Sequence, residues 1–197
     1  YSLSQDVNVS GQVVDHVETS FGIRSISFNA TSGFLLNGQN VLLQGGCMHH
    51  DNYMLGCAAY DQAEERRVEK MKAAGYNAIR TSHNPPSQAF LNACDRLGVL
   101  VIDESFDAWN NCKWDHVDDY SKYFASWWQA DIDSMVLRDR NHPSIIMWSI
   151  GNEIPEQGTT QGTNTASMLA TYVRSLDSTR PVTLAANGSG SSYDAYF

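Results

Sequence analysis

Hydrophobic and polar positions along the chain follow two rhythms, and the change between them comes near residue 30. Over residues 1–30, "YSLSQDVNVSGQVVDHVETSFGIRSISFNA", Val, Ile and Phe alternate with polar residues on either side of a Ser-Gly turn. A period of two marks a half-buried hairpin, and no helical period runs through the stretch. So few strands do not close a core of their own. They read as the last strands of a β-sandwich plus a linker, with a second domain over residues 31–197.

From Phe34 onward, short apolar runs at 41–46, 77–81, 99–103, 145–150 and 182–186 alternate with longer segments of helical period. In "DQAEERRVEKMKAAG", Asp61 reads as an N-cap, Glu64 completes a capping box, and Gly75 lies past the end. Val68, Met71 and Ala74 then share one face. Ser87 caps a second helix that turns Phe90, Leu91, Cys94 and Leu97 inward and ends at Gly98. The third crossover carries Tyr123, Phe124, Trp127, Ile132, Met135 and Val136 before "RNHP" stops it, and Trp127 is expected in the core. The fourth runs from about Thr165 to Leu176.

Strands buried on both faces and separated by amphipathic helices mean βαβ units and a parallel sheet. A doubly wound sheet and a (β/α)8 barrel differ in where chemistry gathers. Barrels place functional residues at the C-terminal ends of several successive strands. Here those ends read "GGCMHHD", "RTSHNPP", "DESFDAW", "GNE" and "AAN", and no Gly-rich phosphate loop follows the first run. The expected fold class is α/β, a partial (β/α)8 TIM barrel of about five units that stops before strands six to eight.

Composition narrows the function classes. The 197 residues carry 22 Asp and Glu against 13 Lys and Arg, a net charge of -9, which argues against nucleic acid as a partner. No apolar run approaches the ~18 residues of a membrane span, and no signal-peptide pattern stands at Tyr1, so no membrane partner is expected. Five Trp and nine Tyr suit a large core or a sugar-facing cleft. Cys47, Cys57, Cys94 and Cys112 have no CxxC spacing, so zinc and redox pairs are not expected and most should be small buried residues. Sequons at Asn8, Asn29 and Asn187 hardly locate the protein, leaning only towards secretion.

The stretch "MWSIGNEIPE" places Asn152 and Glu153 where an apolar strand ends. Such a Glu is either a helix-start carboxylate favoured by the dipole or a general acid/base, with partial burial keeping its proton near neutrality. Asn152 beside it offers a donor to a sugar hydroxyl. Trp109 and Trp114 are candidates to stack on a sugar ring or to pack the loop.

"WSIGNE" resembles the acid/base motif of glycoside hydrolase family 2, the β-galactosidase, β-glucuronidase and β-mannosidase family. The likeness extends over "TSFGIRSISFNATSGFLLNGQNVLLQGG", "MKAAGYNAIRTSHNPPSQAFLNACDRLGVLVIDE" and "RDRNHPSIIMWSIGNE", in order, across about residues 20–187. The resemblance implies that residues 1–30 end an immunoglobulin-like β-sandwich and that 31–197 begin a catalytic barrel. It implies a retaining exo-β-glycosidase, first of all a β-galactosidase, with two carboxylates about 5–5.5 Å apart. On this reading Glu153 is the acid/base. Asn152, His49, His83, Asp103 and Glu104 match substrate-binding positions; Asp107 is read from the residues as a further substrate contact.

Two departures stand out: Met48 precedes His49 where the family has Arg, and "SFDAW" replaces the stretch that binds magnesium in the large β-galactosidases. No metal or other cofactor is therefore carried over. The family's nucleophile, a Glu ending strand seven, is expected beyond this chain. The partners are then a carbohydrate and the remaining barrel and sandwich domains, and the 197 residues alone should not hydrolyse. Two alternatives remain: a carbohydrate-binding fragment without catalysis, and a metal-dependent barrel hydrolase using His49, His50, Asp51 and His83.

Overall fold

The computed structural model describes residues 1–113 and 118–187. The first rhythm folds into strands, but in two small antiparallel sheets, the second of which runs past residue 30 to Asn40. Strands β1 (Ser2–Val9) and β2 (Gln12–Ser20) form a hairpin. Its turn residues Ser10 and Gly11 both have positive φ, 52° and 82°, the handedness that a tight hairpin between twisted strands requires. Strands β3 (Ile26–Asn29), β4 (Gly33–Leu36) and β5 (Gln39–Asn40) make a meander. The Asn37–Gly38 turn repeats the device with φ of 51° and 76°.

Among the described residues the second rhythm gives five parallel strands and four α-helices, besides one 3-10 turn at Tyr53–Leu55. In chain order they are β6 (Gly45–His49), α1 (Asp61–Ala73), β7 (Ala78–Ser82), α2 (Gln88–Leu97), β8 (Leu100–Glu104), α3 (Ser121–Asp139), β9 (Ile145–Asn152), α4 (Thr160–Leu176) and β10 (Val182–Ala185). The strands lie side by side in sequence order, each parallel to the next. A doubly wound sheet reverses its order midway, and this one does not. It is the wall of a partial barrel.

Helix ends follow local chemistry. The Ser87 hydroxyl accepts the Phe90 N–H at 3.2 Å, and Gly98 closes α2 in the left-handed region at φ 68°. The capping box expected at Asp61 does not form. Tyr60 is the cap, Asp61 is already helical, and Glu64 is buried against Arg67, Asn52 and Ser87. Helix α4 starts five residues earlier than its apolar pattern, because the Thr159 hydroxyl accepts the Gly162 N–H at 3.1 Å.

The first apolar run also shifts. Asn77 brackets residues 42–44 through its side chain, and ladder pairing begins only where Gly45 meets Ala78. A Cβ at Gly45 would lie 2.0 Å from the Ala78 carbonyl oxygen, so this close approach requires glycine.

The core fills the space between strands and helices. Ile79, Val101, Ile145, Trp148, Ile150 and Val182 from the strands meet Val68, Phe90, Leu91, Ile132, Met135, Leu169 and Val173 from the helices. Trp127 is not among them: it is 56% exposed, as is Tyr123 at 57%, and Trp128 instead packs edge-on against Tyr172. Ala74 is likewise exposed. Of the cysteines only Cys94 is buried; Cys47, Cys57 and Cys112 are exposed, and no disulfide joins any two of them.

At the N-terminal end of the sheet an arginine ties the base together. Arg180 donates to Asp177 at 2.5 Å and to the carbonyls of Ile145, Arg140 and His142, while lying 5.4 Å from the Trp148 ring centroid. Arg24, from the linker, reaches the same Ile145 carbonyl at 2.5 Å. Burial alone would lift the Asp177 carboxyl, but Thr179, Trp148 and Arg180 donate to it and hold it at about 2.

Candidate functional site

The opposite end of the sheet gathers polar side chains from four consecutive strands. On β7, Arg80 points into the barrel interior, where an unpaired guanidinium would be costly. It meets Glu104, which is fully buried at the end of β8. The pair is bidentate, Nε to Oε2 and Nη2 to Oε1, both at 2.9 Å. Glu104 also faces His83 Nδ1 at 2.7 Å and accepts the Ser149 hydroxyl of β9 at 2.6 Å. Four hydrogen bonds from these three residues satisfy it.

Arg80 carries the network on to Asn152, donating to Oδ1 at 2.6 Å, and to Cys47 Sγ of β6 at 3.2 Å. The Asn152 amide donates to Asp107 Oδ1 at 2.9 Å, and Lys113 Nζ reaches that same oxygen at 2.5 Å. Partial burial works to raise the Asp107 carboxyl, but the hydrogen bonds from Lys113 and Asn152 prevail and hold it below the ordinary carboxylate range. Asn152 is thus locked from both sides and its orientation is set. His49 stands edge-on to His83 with ring centroids 4.9 Å apart, and its carbonyl accepts from Arg67.

Glu153 follows Asn152 on the strand end. It is exposed rather than partly buried. Its φ is +45°, a left-handed conformation uncommon for a non-glycine residue, and its N–H donates to the Ala185 carbonyl at 2.7 Å. A carboxyl group with no ion pair among the described residues therefore stands at the mouth beside a fixed carboxamide. That arrangement can deliver and take back a proton while the amide and Asp107 engage hydroxyls.

Two of the expected residues do not join this cluster. Asp103 precedes Glu104, and a strand's period of two turns it to the helix side. It is fully buried there against Asp139 and Thr81. Burial first, then the Asp139 charge, pushes its carboxyl well above the ordinary range. Trp109 is also fully buried, its indole donating to the Ile150 carbonyl at 2.8 Å, which is loop packing and not a sugar platform. Trp114 lies outside the described residues. Trp148 faces the helices, with its indole on Asp177 at 2.9 Å.

Arg80, Ser149 and Lys113 escaped the sequence reading. The signal for Arg80 was present: a charged residue inside the apolar run "NAIRTS" must be paired. Among the described residues no three His, Cys, Asp or Glu side chains converge as a metal site. A groove of about 480 Å³ between α3 and α4, walled by Trp128, Met168 and Tyr172, shares no residue with the cluster.

Comparison with known proteins gives concordant results. The family described as "Glycosyl hydrolases family 2, TIM barrel domain" matches residues 29–196. A β-galactosidase of Bacteroides ovatus is 39% identical over 95% of this chain and 25% of its own length. The mouse β-glucuronidase is 31% identical over 99% of this chain and 29% of its own. A solved structure of a glycosyl hydrolase family 2 member from Bacteroides cellulosilyticus superposes with a TM-score of 0.93, at 50% identity, over 99% of this chain and 25% of that one. The chain thus spans about a quarter of the length of these relatives.

Proposed function

Since the chain belongs to glycosyl hydrolase family 2, we propose that it supplies the acid/base half of a retaining exo-β-glycosidase, with Glu153 as the proton donor. The observation that carries this reading is the strand end itself. Asn152 is clamped between Arg80 and Asp107, and the next residue, Glu153, is an unpaired carboxyl at the barrel mouth.

In such a reaction Glu153 protonates the glycosidic oxygen as the bond to the anomeric carbon breaks and a second carboxylate attacks that carbon. The resulting ester is hydrolysed when Glu153, now ionised, takes a proton from water. Asn152 and Asp107 contact ring hydroxyls, and His49 and His83 line the same side of the pocket. Glu104 is enclosed by Arg80, His83 and Ser149, and Asp107 by Lys113 and Asn152. Neither is free to attack, and since the resemblance implies a nucleophilic Glu at the end of strand seven, the proposal assigns it to residues outside these 197.

The sugar is proposed to be a neutral hexose, galactose first. Both cations of the cluster are committed to carboxylates, Arg80 to Glu104 and Lys113 to Asp107, which leaves neither for a uronate carboxyl. The names of relatives include both β-galactosidase and β-glucuronidase, so the charge balance supports the choice.

The decisive test is Glu153→Gln in the full-length protein. Hydrolysis of alkyl β-galactosides, whose leaving groups need a proton, should fall by about 10²–10⁴-fold. Aryl glycosides with acidic phenols should keep forming the covalent intermediate, and azide should restore its turnover. Equal loss on both substrates without azide rescue removes Glu153 from the role.

A further inference from the structure

Glu156 has no part in the scheme above, yet it is 1% exposed. Its Oε1 accepts the Asn111 N–H at 2.7 Å, while Oε2 is buried without a hydrogen-bond partner. A buried carboxyl with one unused oxygen is costly to keep, so its position must be over-determined. The backbone does this. The Glu156 carbonyl accepts both the Thr159 N–H, at 3.1 Å, and the Thr159 hydroxyl, at 2.7 Å, and Thr159 is the N-cap of α4. The first turn of the helix therefore anchors Glu156.

What it holds is the loop after β8. From Asn111 the chain runs two residues to Lys113, whose N–H is fixed by Asp119 at 2.7 Å and whose ammonium grips Asp107. Asp107 accepts from Asn152, and Asn152 leads through Glu153 back to Glu156. The contacts form a closed circuit: Glu156, Asn111, Lys113, Asp107, Asn152. Two loops from neighbouring strands are locked to each other by it: the carboxylate of Glu156 ties the β9 loop to the backbone of the β8 loop, as the Asn152 N–H does at the strand end by donating to the Phe106 carbonyl at 3.0 Å.

We infer that Glu156 is a positioning residue for sugar recognition, holding the β8 loop so that Asp107 and Asn152 keep their mutual orientation. The inference rests on the glycosidase reading for its kinetic consequence. It acts on Asp107 and Asn152 and leaves proton delivery by Glu153 alone. Loss of the clamp therefore weakens binding of the sugar and does not depend on the leaving group.

The experiment compares Glu156→Met with Glu156→Gln in the full-length protein. The two replacements are similar in volume, and only Gln retains an acceptor for the Asn111 N–H. Glu156→Met should raise KM about tenfold, by the same factor on nitrophenyl and alkyl glycosides, a smaller loss than the roughly hundredfold that a 1 Å misplacement of a positioning group can cost. Glu156→Gln should recover most of the loss. Hydrogen exchange at the Asn111 amide should be fast in the Met variant and protected in the Gln variant. If Glu156→Met does not fold, Lys113→Met cuts the same circuit and must give the same rise.

An unchanged KM with a protected Asn111 amide overturns the inference. So does a loss confined to poor leaving groups, which would place the effect on Glu153, or a Gln variant as impaired as Met at equal thermal stability. A wild-type protein inactive on every glycoside sinks the glycosidase reading instead, and the Asn111 exchange rates then decide the clamp by themselves.

Discussion

The two ends of the barrel wall are each organised by an arginine, and they use it differently. At the base, Arg180 spends its guanidinium on backbone carbonyls of Ile145, Arg140 and His142 and on one carboxylate, Asp177. Everything it touches is fixed by the main chain or by the turn it belongs to. At the mouth, Arg80 bonds only to side chains, those of Glu104, Asn152 and Cys47, with His83 nearby. Both arginines are largely enclosed, and both close a network around a buried carboxylate. Burial and charge therefore do not separate a structural cluster from a chemical one. What does is whether the partners orient further groups or end in backbone.

Substitutions at the two ends should break in different currencies. Arg180→Met leaves Asp177 in a buried site without its cation and takes a donor from the carbonyls of Ile145, Arg140 and His142, and should lower unfolding free energy by about 3–5 kcal/mol. Urea melts measure that loss, and kcat/KM per folded molecule should stay at the wild-type value. A comparable fall in kcat/KM of the folded fraction would erase the distinction between the ends. Asn152→Ala at the mouth should do the reverse. It removes a donor fixed between Arg80 and Asp107, lowering kcat/KM about a hundredfold, while stability changes by about 1 kcal/mol. Steady-state kinetics and melts on the same preparation compare the two.

The smallest effect sharpens the contrast within a single strand. Asp103 and Glu104 are neighbours on β8, the first facing a carboxylate and the second an arginine. The folded-state pKa of Asp103 is raised above its unfolded value near 3.9. The folded chain therefore holds the proton more tightly. This contribution is complete below the unfolded value and is lost as pH rises through the folded one. Asp103→Asn keeps a neutral donor towards Asp139, so stability at neutral pH should change by about 1 kcal/mol or less. Its stability should also fall less towards alkaline pH. A variant whose pH dependence matches the wild type would show that Asp103 is ionised in the fold.

Much of this architecture was legible in the sequence because it follows from period. The switch from alternation to apolar runs near residue 30 falls inside the second small sheet, whose β4 and β5 extend to Asn40, while Ser87 and Gly98 marked α2 as observed. The polar strand ends identified the mouth, and His83, Glu104, Asn152 and Asp107 do assemble there. Facing was harder. "DE" at a strand end sends one carboxylate inward and the other outward, and a one-residue choice of register decides which. Trp127 and Trp128 posed the same problem on a helix. The apolar stripe of α3 is broad enough to accept either, and Trp128 took the seat beside Tyr172. Arg80 was overlooked because its justification is entirely non-local, in residues 24 and 72 positions away along the chain.

The left-handed backbone at Glu153 has a consequence for anyone improving this protein. A β-carbon in that conformation carries a penalty of roughly 1 kcal/mol, which glycine escapes and asparagine reduces. Thermal selection on the chain would then reward Gly or Asn at position 153 over the residue present. A library ranked by melting temperature alone should drift towards variants that are sturdier and silent. The catalytic candidate persists against the local preference of its own backbone, and only a screen that reads turnover would keep it.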